Sequence, residues 1–440
     1  MSKKFIGGLL FAIIVVFAFY YNAILGKDDA TQVATEDNVV TEDIVVTEDI
    51  VVTEDSVSIV DTKEIKVGIV LSFTGPIESL TPDMAAGAEL AFKEASDSGA
   101  LLSGSTITTI RHDMTCIDSA AAVTGAEEVM SQGVVAFVGP DCSGVTVAVL
   151  ANVAMPNGVP IVSPAATSPA LTTMEDNGLF FRTAPSDARG GEVLAEVTAD
   201  RGITSVAITY VNTDYGVGLA DVYEAAAIAQ GIEVTTKISH EGDKADYSAE
   251  VGVLSSAGGD ALVVVGYLDQ GGNQIVRGSL DSDAFDTFVL SDGMIGDSLT
   301  DAFGAELNGS FGSMPGSLDN AEFDAYVEEN GITGSIYVGE SYDAAALIVL
   351  AMASGDCDIT GCKGSDDSAS IAANIMNVAN EPGIKIYAGE LAKGIRLISA
   401  GNAVNYEGAT SVNFTEVGEA VGGFVELAIE NGVFKTVASR

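Results

Sequence analysis

From Lys63 onward the chain repeats one unit, a short run of apolar residues followed by a stretch whose apolar positions recur at helical spacing. The first run, Ile65-Lys66-Val67-Gly68-Ile69-Val70-Leu71, leads into Thr81-Pro82, a helix start with an N-cap residue and Pro in the first turn. Ala88, Ala91, Phe92 and Ala95 follow on one face. Strands are expected at 106–112, 134–139 and 160–163, with helices opened by Asp118 and by Ser143. Val147, Leu150, Ala151 and Ala154 share one face of the second of these helices. After Pro185 the unit restarts, predicting strands at 205–211, 233–238, 261–267 and 287–291 and a helix from about Gly218 to Gln230. Strands that are apolar throughout are covered on both faces, as in parallel sheets with helices packed on each side. A length of 440 residues exceeds one ordinary domain. The two series therefore predict an α/β chain of two doubly wound, parallel-sheet lobes.

The region before Lys63 is of another kind. Lys3 and Lys4 precede an apolar run from Phe5 to Tyr21, the pattern of an export signal. The run is intermediate between a long signal core and a short membrane span. A cleaved signal peptide and a retained membrane anchor over residues 1–26 both stay open, and no cysteine lies near enough for a lipid anchor. Residues 27–62 read as an acidic repetitive linker, since 28–61 hold eleven carboxylates and no Lys or Arg. Thr-Glu-Asp recurs there at Thr35, Thr41, Thr47 and Thr53. Dense unpaired like charge repels itself and opposes a fold, and the glycines of calcium-binding loops are missing.

The net charge of −44 excludes nucleic acid as a partner, because phosphates are repelled. Four cysteines allow three pairings, and export favours disulfides over free thiols. Neither Cys116 with Cys142 nor Cys357 with Cys362 has the two-residue spacing of a zinc site, so no metal and no cofactor are expected.

Doubly wound sheets bind ligands beyond the carboxyl ends of their strands, which makes the residues after each strand the candidates. They are Ser72 to Pro76, Gly139-Pro140-Asp141-Cys142-Ser143-Gly144, Ser163 to Pro169, Asn212-Thr213-Asp214-Tyr215-Gly216, Gly266-Tyr267 and Ser291-Asp292-Gly293. Hydroxyls, turn glycines, aromatics and a carboxylate suit a zwitterionic amino acid. Its carboxylate needs hydroxyl and backbone N–H donors, which a helix N-terminus supplies, and Ser143 is both an N-cap candidate and a donor. Its ammonium needs an anion or a carbonyl, and Asp292 or a loop carbonyl fits. Tyr215 and Tyr267 would wall the side-chain pocket.

The run Asn177-Gly178-Leu179-Phe180-Phe181-Arg182-Thr183, the Ser163-to-Thr167 loop and Asn212-Thr213-Asp214-Tyr215-Gly216 resemble the branched-chain amino acid binding proteins. Those are type I periplasmic solute-binding proteins of ATP-driven (ABC) importers. The resemblance extends from about Lys63 to the C-terminus and implies two lobes joined by three hinge crossovers, closing on ligand like a clamp. The lobes are then 63–184 with 313–407, and 185–312 with 408–440. It also implies that Ser143 and Thr167 bind the ligand carboxylate and that the Ala165 carbonyl and Asp292 bind the ammonium. Tyr215 and Tyr267 match pocket walls, and Cys116 and Cys142 match a first-lobe disulfide. Cys357 and Cys362 have no counterpart; their closeness in an exported chain predicts a second bridge. Leu80 stands where a Tyr often lines the pocket, Asp292 where the family often has Glu, and Asp141 where some members carry an apolar residue. An Asp141 facing the ligand unpaired would disfavour a purely aliphatic side chain. Tyr342 resembles a recurrent family helix start and is expected in the core.

No catalytic residue is expected. His112 and His240 are the two histidines, and no nucleophile elbow, phosphate loop or His-Glu-x-x-His motif is present. The implied partners are a small amino acid and the membrane permease of an importer. The implied place is the periplasm or the outer face of the membrane, and the implied state is a monomer. A ligand-sensing ectodomain and a binder of amides or ureas are the alternatives.

Overall fold

Apolar strands form two sheets, and the turns at their carboxyl ends place the site between them. The computed structural model describes residues 62–316, 321–333 and 336–440; the apolar N-terminal run and the acidic linker up to Asp61 lie outside the described residues. The first sheet has strand order β2-β1-β3-β4-β5, all parallel. Its strands are β1 Glu64–Leu71, β2 Thr106–Asp113, β3 Phe137–Val138, β4 Ile161–Ser163 and β5 Phe180–Arg182.

The second sheet draws on β6 Ser205–Val211, β7 Glu233–His240, β8 Ala261–Val265, β9 Phe288–Leu290 and β10 Phe311–Pro315. Cys357–Asp358 (β11) and Gly361–Cys362 (β12) form a small disulfide-bridged hairpin, and Ile384–Tyr387 (β13) pairs with Val404–Gly408 (β14). The C-terminal strands β15 Phe424–Glu430 and β16 Val433–Ser439 return to the second sheet, whose order is β16-β15-β10-β9-β8-β6-β7.

That sheet is parallel from β7 to β10 but antiparallel at β10–β15 and β15–β16, so its edge departs from the wholly parallel expectation. Asn431-Gly432 makes the β15–β16 hairpin: both residues have positive φ (54° and 76°), the pair that a two-residue hairpin requires.

Some local expectations shift by a turn. Asp118 caps its helix through the amides of Ala120 and Ala121. Thr213 accepts from the Gly216 amide, so the next lobe's helix runs Asp214–Ala229, starting before Gly218. Leu80 rather than Thr81 holds the N-cap position of helix Thr81–Asp97. The run expected as 134–139 keeps only two strand residues. Gly139, at φ 92°, turns the chain so tightly that a Cβ there would stand 2.2 Å from the Val70 carbonyl oxygen.

The chain passes between the sheets at 183–186, after Pro315, and again at 421–423. The intervening helix Val338–Ala353 is buried along its whole length against helix Thr81–Asp97 of the first sheet's layer. From Ala344 to Ala353 it is apolar on every side, as a core helix is, and Tyr342 sits just before that stretch, fully buried. No helix among the described residues is long and apolar enough to cross a membrane.

Candidate functional site

The strand ends of both sheets meet at one cavity. Asp141, Cys142, Ser143 and Ala165 line it from the first sheet. Tyr215, Tyr267, Asp292 and Gly293 line it from the second, while Ile77, Leu80, Met84 and Tyr337 close an apolar side. Seven of the eight candidate residues thus share one space; Thr167, the eighth, stands buried behind the lining. The free volume is about 30 Å³, room for two or three waters at ~10–15 Å³ each. This is less than a whole amino acid occupies.

The lobes are latched in this closed arrangement. Asp269 of the second sheet's layer donates its amide to the Pro76 carbonyl (3.0 Å). Its carboxylate accepts from the Ser79 amide (2.9 Å) and from the Ser298 hydroxyl (3.0 Å). Ser168 donates its hydroxyl to the Asp214 carbonyl at 2.9 Å.

The first-lobe face is built from a loop held by one cation. Arg182, fully buried at the end of β5, donates to the carbonyls of Ala166 (2.9 Å) and Ser168 (3.0 Å) and to the Thr172 hydroxyl (2.8 Å). It forms an ion pair with Glu419. The conspicuous Phe-Phe-Arg-Thr run is therefore a staple under the Ser163-to-Thr167 loop. Ser143 occupies the first helical position and Cys142 the N-cap, which corrects the expectation that Ser143 caps. The Ser143 hydroxyl accepts from the Ser168 amide (3.1 Å) and keeps its own proton to donate. Thr167 Oγ1 has no hydrogen-bond partner, and the Thr167 carbonyl accepts from the Asp187 amide.

The second-lobe face centres on Asp292, in the turn after β9. Its Oδ1 accepts from the Tyr215 hydroxyl (2.6 Å) and its Oδ2 from the Tyr337 hydroxyl (2.5 Å). Burial pushes this carboxyl above its ordinary range, opposed by the two phenols. A carboxylate offers about four acceptor positions, so acceptor capacity remains for an ammonium group. Tyr215 stacks on Tyr267 with ring centroids 5.3 Å apart.

Asp141 borders the cavity but is not left unpaired. Its Oδ1 accepts from the Ser72 hydroxyl (2.7 Å) and the Cys142 amide (2.9 Å), and its Oδ2 from the Ser72 amide (2.9 Å). It ties β1 to β3 and, being paired, does not disfavour an aliphatic ligand. Cys116 is bonded to Cys142, next to Ser143, and Cys357 to Cys362.

Three contributors escaped the sequence reading. Tyr337 follows no strand and precedes a helix in the left-handed region (φ 69°), which a bulky residue rarely adopts. Met84 and Ile77 flank a helix start rather than end a strand. No Lys, Arg or His lines the cavity among the described residues, and none of their His, Cys, Asp or Glu clusters is arranged to hold a metal. His240 is buried away from it, against Thr209. The arrangement offers a hydroxyl donor on one face, a carboxylate on the other and an apolar wall, a set of groups complementary to an amphiphilic zwitterion.

The family model described as periplasmic binding protein matches residues 64–390. The Leu/Ile/Val-binding protein homolog 3 of Brucella melitensis biotype 1 is 33% identical over 213 residues, 48% of this chain and 56% of that protein. That match spans little more than half the relative's length. The chemotactic signal transduction system substrate-binding protein BasB of Halobacterium salinarum is 26% identical over 373 residues, 82% of this chain and 86% of that protein. Among solved structures, a leucine-binding protein LivK from Thermotoga maritima shares the fold at TM-score 0.68 and 21% identity, covering 85% of this chain and 98% of that one. LivJ from Streptococcus pneumoniae, in complex with isoleucine, does so at TM-score 0.68 and 23% identity, over 86% and 98%.

Proposed function

The chain belongs to the periplasmic binding protein family, and from that premise we propose that it captures a small branched-chain or related amino acid between its two lobes. It delivers that ligand, on this reading, to the membrane permease of an ABC importer. Members of this family bind rather than transform, and they work outside the cytoplasm. The observation that carries the reading is the meeting of two unlike faces across one closed cavity. Ser143 presents a hydroxyl donor for a carboxylate, with Ala165 beside it on the same face, and Asp292 faces them from the other lobe. Leu80, Ile77 and Met84 supply the apolar wall that an aliphatic side chain needs. The Leu/Ile/Val-binding names of the relatives support the same ligand class.

The two lobes, hinged where the chain crosses at 183–186, after Pro315 and at 421–423, act as the clamp. A ligand held by both faces favours the closed state, because both contacts are complete only there. The protein works as a monomer, in the periplasm or tethered at the outer membrane face by its N-terminal segment. Sensing is the second reading, favoured by the similarity to BasB over most of both chains.

A thermal-shift screen of amino acids, amides and ureas tests the ligand class. A true ligand at 100-fold its Kd stabilises by about 2.7 kcal/mol. Stabilisation by leucine, isoleucine or valine is expected; a screen in which only amides or ureas respond overturns the amino acid reading. Permease and ATPase genes beside this one would separate transport from sensing.

A further inference from the structure

Behind Asp292 lies a second buried carboxyl that the ligand cavity does not include. Asp187, the first residue of helix Asp187–Asp200, is 3% exposed, and it borders a small space of about 10 Å³ together with Asp292, Ser291 and Ser313. The two acids differ in their partners. Asp292 accepts hydrogen bonds from phenolic hydroxyls on both oxygens, those of Tyr215 and Tyr337, which marks it as the charged member. Asp187 Oδ2 has no hydrogen-bond partner; the Thr167 hydroxyl is near enough to favour its charged form but does not reach hydrogen-bond geometry.

The surroundings supply little to hold two negative charges. Arg182 is the cation that bears on Asp187, and its guanidinium is committed to Glu419 and to loop carbonyls. Tyr215, Tyr267 and Tyr337 face the pair as neutral phenols, and Asp141 adds a third carboxyl on the far side. The helix N-terminus favours an ionised Asp187 only weakly. Burial and the charge of Asp292 together push the Asp187 carboxyl well above its ordinary range. Two close buried carboxyls do not both ionise without a compensating cation.

We propose that Asp187 and Asp292 hold one proton between them in the unliganded site, and that a ligand's ammonium group arriving at Asp292 expels it. Asp187 is on this view a positioning residue that couples capture of cationic amines to proton release. The inference rests on the amino acid reading above. The step balances simply: the ligand amine stays protonated, the Asp187 carboxylic acid ionises, and its proton leaves to solvent. The bound cation cancels the repulsion that kept the proton in place. Affinity for a protonated amine then rises with pH through the window in which the free pair is protonated, by at most about ten-fold per pH unit for one proton.

Calorimetry of the full chain with L-leucine, L-isoleucine and L-valine, in buffers of different ionisation enthalpy between pH 5.5 and 8, measures the protons released. We expect roughly half to one proton per ligand near the middle of that range. Asp187→Asn is expected to abolish the release and flatten the pH dependence. Binding of these amino acids without buffer-dependent heat overturns the inference and leaves the amino acid reading standing. Release that persists in Asp187→Asn also overturns it. If none of the three binds at any pH, the amino acid reading falls and the inference with it. The parent's proton count decides without any variant, should Asp187→Asn fail to fold.

Discussion

Tyr337, held at φ 69° beside the first lobe's central helix, donates its hydroxyl to Asp292 on the second lobe. A tyrosine in left-handed backbone costs on the order of 1–3 kcal/mol, so this reach across the cleft is maintained against strain. Tyr337→Phe should keep the fold and weaken leucine binding by about 1.5–3 kcal/mol, the range for a hydrogen bond to a charged group. The loss should appear as faster dissociation in stopped-flow traces, since the bond spans the closed lobes. An unchanged dissociation rate would exclude Tyr337 from the clamp.

Asp292→Ala removes the carboxylate proposed to face the ammonium. Calorimetry should show a loss of about 2–5 kcal/mol, as for one partner of a buried charge pair. Thr167→Val should cost less, about 1.5–3 kcal/mol. Because the Thr167 hydroxyl has no partner in the closed site, that variant should melt no lower than the parent without ligand. Full-strength leucine binding by Asp292→Ala would point to another ammonium site.

Arg182→Met leaves Glu419 without its partner and releases the loop that carries Ala165 and Thr167. Breaking such a buried pair costs about 3–5 kcal/mol of stability. Denaturant titration should show that loss, and Arg182→Met with Glu419→Gln should recover part of it. If the double variant is no more stable than the single one, loop release rather than the unpaired charge dominates.

Burial holds the Glu340 carboxyl up at about 8 and that of Asp343 at about 6. The folded state binds these protons more tightly than the unfolded chain does. Their stabilisation is therefore present at low pH and lost as pH rises through those values. His240 works the other way. Burial pulls it down to about 4, so stability falls as pH drops from about 6.5 toward 4. Between pH 6.5 and 8.5 the melting temperature should fall as pH rises. Glu340→Gln should flatten that slope and converge with the parent near pH 5. A parent Tm that is level across this window would contradict the assignment.

The two disulfides should separate in their effects. Cys116–Cys142 is buried and joins residues 26 apart, a loop worth ~3–4 kcal/mol in chain entropy. Replacing both cysteines by alanine should cost that much and also weaken binding, because Cys142 precedes Ser143 and its amide holds Asp141. Cys357–Cys362 spans 5 residues on an exposed hairpin. Mild reduction should open it first, by thiol mapping, with leucine affinity unchanged.

Much of this molecule was legible locally. Apolar runs announced the strands, and the rule that doubly wound sheets bind at strand ends led to Asp141, Ser143, Ala165, Tyr215, Tyr267 and Asp292, which line one cavity. Asn431-Gly432 was an equally plain hairpin signal, and reading it would have predicted the antiparallel β15–β16 pair, though not its junction with β10. Asp187 was harder, because an acid after a capping Ser186 looks like an ordinary helix start.

What sequence alone determined was the fold class and the ends of the parallel strands it announced, because hydrophobic periodicity and turn chemistry are properties of neighbouring residues. Only the tertiary structure decided the partners across the cleft. Asp141 is satisfied by Ser72, 69 residues earlier, and Asp292 is met by Tyr337, 45 residues later. Those pairings depend on how three chain crossovers aim one lobe at the other. No local pattern carries that information, because the burial that favours each contact exists only once both lobes are folded.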